Sequence, residues 1–338
     1  MASKKTGEQT LIFNSRPEIG AAGAVVGVKE GKGPLGPKFD IVSEDDMFGE
    51  KTWEKAESRM MSEAINIALK KAGKNKNQID VMLSGDLLNQ LMSSTFSAKD
   101  FSVPFLGIYG ACSTMTEAMV LGSVLVDGGY ADNVVAAASS HYSTAERQFR
   151  LPLEHGNQRP PSAQWTATAA GCVVLTRSES PHFCITHATI GKIVDTGMTD
   201  ANQMGAAMAP AALDTIYRHL LDTGRDVGYY DRVLTGDLGH IGKKILEDMA
   251  KSLGMDMGSG YDDCGVLIYD KEQDVHSGGS GCGCSASVFA GPVFREMLEG
   301  KLKKVLLVST GALLTTTSAQ QGESIPGIAH AVAIEVLQ

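Results

Sequence analysis

Apolar positions in this chain follow two periods. Over 59–90, "RMMSEAINIALKKAGKNKNQIDVMLSGDLLNQ", Ile65 and Leu69 stand four apart and predict one buried helix face, and Gly73 predicts the helix stop. The segment closes on "DVMLSGD", which predicts a short strand ending in a turn. Displacing the chain by 151 residues lays 210–241, "PAALDTIYRHLLDTGRDVGYYDRVLTGDLGHI", over it without a gap. Ile65, Leu69, Gly73, Asp80, Leu83, Gly85, Asp86 and Leu87 recur as Ile216, Leu220, Gly224, Asp231, Leu234, Gly236, Asp237 and Leu238, eight identities in 32 positions. Helix, stop and strand make half of a βαβ unit, and the chain carries it twice.

A displacement of 171 lays "GACSTMTEAMVLGSVLVDGGYADNVVAAASS" (110–140) over "GCGCSASVFAGPVFREMLEGKLKKVLLVSTG" (281–311). Three identities remain, but both run in the same order: glycine turn, small-residue helix, glycine, continuous apolar strand. Unbroken apolar strands such as "NVVAAAS" and "KVLLVST" belong to sheets covered by helices on both faces. "GAVVGVKEG" and "ITHATIGKIVD" open the two halves, and "QWTATAAGCVVLTRS" and "AHAVAIEVL" close them as strands. The pattern predicts an α/β protein of two similar halves, 1–180 and 181–338, with the seam near 176–184. "GKGPLGP" and "LPLEHGNQRPP" predict loops.

Composition narrows the function classes. The 338 residues are 43% hydrophobic, enough for one large domain or two fused units. Lys and Arg total 30 against 39 Asp and Glu, a formal charge of −9 with the bases scattered, which argues against a nucleic-acid partner. "MASKKTGEQTLIF" has no apolar run behind its lysines, and no stretch reaches the roughly 18 apolar residues of a membrane span, so a soluble, unsecreted chain is expected. The six cysteines then read as reduced thiols rather than as a disulfide framework.

Several residues stand where chemistry is expected. Cys112, in "GIYGACSTMTEAM", lies where a strand hands over to a helix, whose unpaired N–H groups favour a thiolate or a bound anion. Its other reading is a small residue filling a tight turn. His141 ends the strand "NVVAAASS", at the strand end where open α/β sheets place ligands, with Ser139, Ser140 and Tyr142 beside it. Arg147, Arg150 and Arg159 occupy adjacent loops and offer guanidinium forks for a carboxylate. Trp165, after Gln164, offers a stacking face for a flat ring or packs at a subunit interface. In "GGSGCGCS", the turn Gly281, Cys282, Gly283 predicts an anion-binding nest beside Cys112; Cys282 and Cys284 alone are a weak case for a metal. Asp86 and Asp237 end equivalent strands, and their repetition points to a shared capping job.

Two α/β halves, a "GACS" turn and a late Gly-Ser-rich turn resemble the thiolase superfamily. Within it, "SSHYSTAERQFR", "NQRPPSAQWTATAAG", "TGDLGHIGKKILEDMAKSLG" and "HSGGSGCGCSAS" look like a sporulation-protein family of spore-forming bacilli. The resemblance implies a five-layered αβαβα sandwich, a homodimer and no cofactor. It also implies a protein of the developing spore, peripheral to the inner spore membrane, that binds dipicolinic acid, with Ca²⁺ arriving on the ligand, and works beside other subunits of a membrane complex.

Cys112 matches the acyl-accepting cysteine of thiolase relatives, which also need a histidine and an asparagine or second histidine. Anchored on Leu253-Gly254, the histidine position falls on Gly239, with His240 one residue away, and the asparagine position falls on Cys282. His276 is a further histidine candidate, with a surface or capping role as its alternative. The expectation is therefore a ligand-binding protein without standard condensing activity. A working acyltransferase using Cys112 with His240 or His276, and a scaffolding subunit, are the competing readings.

Overall fold

The structure, a computed structural model, describes residues 3–149 and 159–337. The first half begins with β1 (Glu18–Val26) and the four-residue α1 (Val28–Gly31), followed by α2 (Trp53–Lys71), β2 (Val81–Gly85), α3 (Met92–Phe101) and β3 (Phe105–Gly107). It continues through α4 (Thr114–Asp127), β4 (Asn133–Ser140), α5 (Tyr142–Phe149), β5 (Trp165–Thr166) and β6 (Ala169–Thr176). The second half runs β7 (Phe183–Ile190), α6 (Met204–Thr223), β8 (Arg232–Thr235), α7 (Gly239–Ser252) and β9 (Tyr261–Asp263). Then come β10 (Gly279–Ser280), α8 (Cys282–Val288), β11 (Lys304–Ala312) and β12 (Gly327–Val336).

Strand pairing repeats the duplication seen in the sequence. In the first half β1 pairs antiparallel with β6, β6 antiparallel with β4, β4 parallel with β2 and β2 parallel with β3. In the second half β7, β12, β11, β8 and β9 pair in the same order and sense. The half-sheets join where β7 meets β1, Cys184 opposite Glu18. Local chemistry repeats too: Gly73 and Gly224 follow α2 and α6 at φ 64° and 65°. Asp80 accepts from the Asp132 and Asn133 N–H groups, and Asp231 from those of Lys303 and Lys304.

Three apolar cores separate five layers. α2 buries Met60, Met61, Ala64, Ile65, Ala68 and Leu69 against the outer face of the first half-sheet. Its start is set by Thr52, which accepts from Lys55 N–H, and Glu54 and Lys70/Lys71 complement its dipole. α6 and α7 cover the outer face of the second half-sheet. α4 and α8 fill the middle layer and touch strands of both half-sheets. Gly171 permits this closeness, since a Cβ there would lie 2.2 Å from the Ala286 carbonyl oxygen. Truncating a core residue such as Leu69 to Ala should cost about 2–5 kcal/mol. The middle layer brings the Cys112 turn and the Gly281 turn face to face.

Candidate functional site

The Cys112 turn is held by its own small side chains. Ser113 Oγ donates to Gly110 O at 2.7 Å, Thr114 Oγ1 donates to Ala111 O at 2.7 Å, and Ala111 is forced to φ 50°. Cys112 stands two residues before α4 and is buried. Its surroundings do not favour a thiolate. Burial pushes the thiol well up, and the neighbouring Asp237 charge and Cys282 add to this; against them stands the Gly281 N–H. Cys112 does stand at a helix start, and there desolvation and a facing carboxyl act against the positive end of the helix.

The predicted nest at Gly281, Cys282 and Gly283 lies beside Cys112, with Gly281 lining the same cavity, and two of its N–H groups have partners within the protein. Gly281 has φ 98°, and a Cβ there would lie 2.7 Å from Ser140 Oγ, so the turn needs glycine. Its N–H donates to Asp237 Oδ2 at 2.9 Å, while Gly283 N–H donates to Ser140 Oγ at 3.1 Å. Ser140 Oγ in turn donates to Ala167 O, and Cys282 Sγ donates to Ser139 O at 2.8 Å. The Gly281 and Gly283 N–H groups are thus taken by the protein's own acceptors, and Ser140 and Cys282 are buried.

Asp237 is the residue the sequence reading undervalued. Its Oδ1 accepts from Thr310 Oγ1 at 2.6 Å, and burial raises its pKa to about 7. Asp86, its counterpart, keeps the capping job, accepting from Leu88 N–H and from Ser94 N–H and Oγ. In the second half that job passes to Asp263, which accepts from the N–H groups of Leu238 and Gly239. Asp237 is left to face Cys112. The cavity at this point is lined by Leu87, Tyr109, Phe149, Met204 and Leu314 together with Cys112 and measures about 40 Å³. At roughly 10–15 Å³ per water it holds a few waters.

Neither candidate histidine lines this cavity. His240 is exposed on the first turn of α7, near Lys243 and Lys271. His276 is tied to the neighbouring loop, Nδ1 to Pro160 O at 2.8 Å and Nε2 to Asp274 Oδ1 at 3.1 Å. Both expectations of a proton-transfer partner for Cys112 are corrected: the turn at 236–239 presents Asp237 inward and sends His240 out.

His141 and Trp165 line a separate groove, and Arg159 lies over the indole. His141 is buried, with Nε2 against Asp46 O at 2.8 Å and Nδ1 accepting from Ser143 N–H, and burial lowers its pKa. Trp165 stacks on Tyr142 at 3.7 Å between ring centroids. Lys29 Nζ lies 4.0 Å and the Arg159 guanidinium carbon 4.7 Å from the indole centroid. Glu30, under the groove, accepts from Thr168 N–H and Tyr269 OH, and burial raises its pKa to about 7. Arg147 instead pairs with Glu54, and Arg150 lies outside the described residues. Lys29 and Glu30 were not singled out in the sequence, although "VKEG" directly follows an apolar strand, the placement that marked His141.

A cysteine held in a strained turn between two matching half-sheets, under helices shared by both, defines a thiolase-like protein. Solved structures agree. One is 3-oxoacyl-[acyl-carrier-protein] synthase III from Aquifex aeolicus VF5, 14% identical with a TM-score of 0.57, covering 94% of this chain and 99% of that one. Another is a variant of OleA from Xanthomonas campestris, 14% identical with a TM-score of 0.61, covering 96% and 99%. At such identity the likeness is one of fold. The profile of the family described as Stage V sporulation protein AD (SpoVAD) matches residues 7–335. Stage V sporulation protein AD of Bacillus subtilis (strain 168) is 47% identical over 332 residues, 98% of each chain. The chain belongs to the stage V sporulation protein AD family, and its role is in sporulation. Among the described residues no helix is long and apolar enough to cross a membrane.

Proposed function

We propose that the protein binds dipicolinic acid, alone or as its Ca²⁺ chelate, and serves dipicolinate uptake into the developing spore without condensing chemistry. The observation that carries this reading is the Cys112 environment. Burial first and the facing Asp237 second raise the pKa of the thiol, while His240 and His276 stand elsewhere. A condensing enzyme needs a thiolate and a proton acceptor beside it. The fold is retained around a cysteine whose surroundings favour the neutral thiol.

A homodimer is part of the same reading. β3 is an edge strand of the sheet, and Leu106 on it is 54% exposed, beside exposed Phe96 and Tyr109. A bare apolar sheet edge favours pairing with a second copy. The other SpoVA subunits at the inner spore membrane are the proposed further partners. Calorimetric titration with dipicolinate tests the reading. Saturable binding supports it, and the absence of saturable heat overturns it.

A further inference from the structure

The duplication gives one surface of this chain an internal reference. Displaced by 151 residues, the end of α2 and the turn after it, 66–77, match the end of α6 and its turn, 217–228. Both helices stop at a glycine, Gly73 and Gly224, at φ 64° and 65°, so the two backbones end alike. The side chains differ. Exposed Asn66, Lys70 and Lys76 in the first half stand where the second half has Tyr217, Leu221 and Val227. Tyr217 is 44% and Leu221 58% exposed. Single exposed apolar side chains are ordinary, but a polar, basic surface turned apolar at three matched positions is a patch.

The patch is concave and acidic. Tyr217 and Leu221, one turn apart on α6, line a groove of about 630 Å³ together with Val227, with Met255 from the segment after α7, and with Asp226 and Asp256. Asp226 is released from the job of its counterpart: Asn75 accepts from the Asn77 N–H at 3.0 Å, whereas the Asp226 side chain makes no cap hydrogen bond. Asp256 accepts from the Gly258 N–H at 3.0 Å within its own turn. Among the described residues neither carboxylate has an ion pair, and Arg225, the one lining cation, is committed to Glu335, Nη2 to Oε1 at 2.9 Å, and to Tyr230 OH. The negative ends of the α6 and α7 dipoles close on the same groove, through Gly224 and Gly254.

We propose that this groove between the ends of α6 and α7 docks a basic amphipathic segment of another protein, with apolar side chains seated on Tyr217, Leu221 and Val227 and a lysine or arginine meeting Asp226 and Asp256. Charge decides among the occupants. Two carboxylates and two helix C-termini repel an anionic lipid surface, and a second copy of this chain brings its own net charge of −9. A basic segment gains where both of these lose. Apolar contact supplies the affinity of such a docking, and the paired charges supply its register and rate. Docking here is independent of dipicolinate binding.

The test places the photo-crosslinker p-benzoylphenylalanine, in the full chain and in sporulating cells, in place of Leu221, of Val227 and, as the control, of Lys70. Mass spectrometry of the joined peptides identifies what each probe meets. The expected result is an adduct from the Leu221 and Val227 positions to a segment of another protein in which apolar residues flank lysine or arginine, with none from the Lys70 position. D226N/D256N and, with the probe at Val227, L221K should each lower its yield by about fivefold or more. Thermal melts establish that the variants are folded, and L221N replaces L221K if that variant is not. No adduct, an adduct to lipid or to a second copy of this chain, equal adducts from the Lys70 position, or a yield unchanged in both variants overturns the docking site.

Discussion

Gly281 N–H donates to Asp237 Oδ2 at 2.9 Å, so the donor best placed to meet a ligand beside Cys112 is taken by a buried carboxyl. Thr310 Oγ1 holds the other oxygen at 2.6 Å. Asp237→Ala removes the acceptor of both and leaves the Gly281 N–H buried without its partner, which should destabilise the fold by about 1–3 kcal/mol. Differential scanning calorimetry should show the lower melting temperature; an unchanged one would mean that the carboxyl is not committed to these bonds.

Intact-mass spectrometry after incubation with acyl-CoA should show no thioester on Cys112. The thiol is buried and pushed up by burial and by Asp237, and thiolate supply limits acyl transfer. An adduct that forms and turns over would restore the condensing-enzyme reading.

Stability should fall as pH rises through neutrality. Burial raises Glu30 and Asp237 to about 7, and burial followed by the Asp86 charge raises Glu57 well above the carboxylate range. In the unfolded chain such groups titrate near ~4. The folded protein thus holds protons that the unfolded chain has released. The stability they contribute is fully present below about pH 4 and is lost as pH rises through about 7, a loss of order a few kcal/mol. Thermal melts at pH near 5.5 and 8.5 should show the drop, and Glu57→Gln should reduce it.

Placing a charge on the exposed edge should split the proposed dimer. Leu106→Asp puts a carboxylate where an apolar side chain is 54% exposed on β3. Sedimentation velocity should show a dimer for wild type and a monomer for the variant. A wild-type monomer would contradict the edge as an interface.

The fold was legible because the duplicated residues do backbone work. Gly73 and Gly224 stop equivalent helices, and Asp80 and Asp231 receive equivalent pairs of N–H groups. Such jobs depend on local chain geometry, which a repeat in the sequence records. The site was legible in part. Cys112 was visible from its strand-to-helix turn, but Asp237 looked like a second Asp86 because the same residue type at the same register serves both capping and facing a thiol. His240 and His276 carry the right chemistry for a catalytic partner, yet the side-chain direction that excludes them is set by the turns at 236–239 and 274–277. The meeting of Lys29, Arg159 and Trp165 depends on tertiary packing between α1 and β5, and no local spacing records it.

The central claim is that this thiolase-like chain binds dipicolinate without condensing chemistry. Calorimetric titration of the wild-type protein with pyridine-2,6-dicarboxylate tests it most directly. The account predicts a saturable exchange of heat with one site per chain, weakened by salt because the ligand is a dianion. A titration with no saturable heat, at any ionic strength, would contradict it.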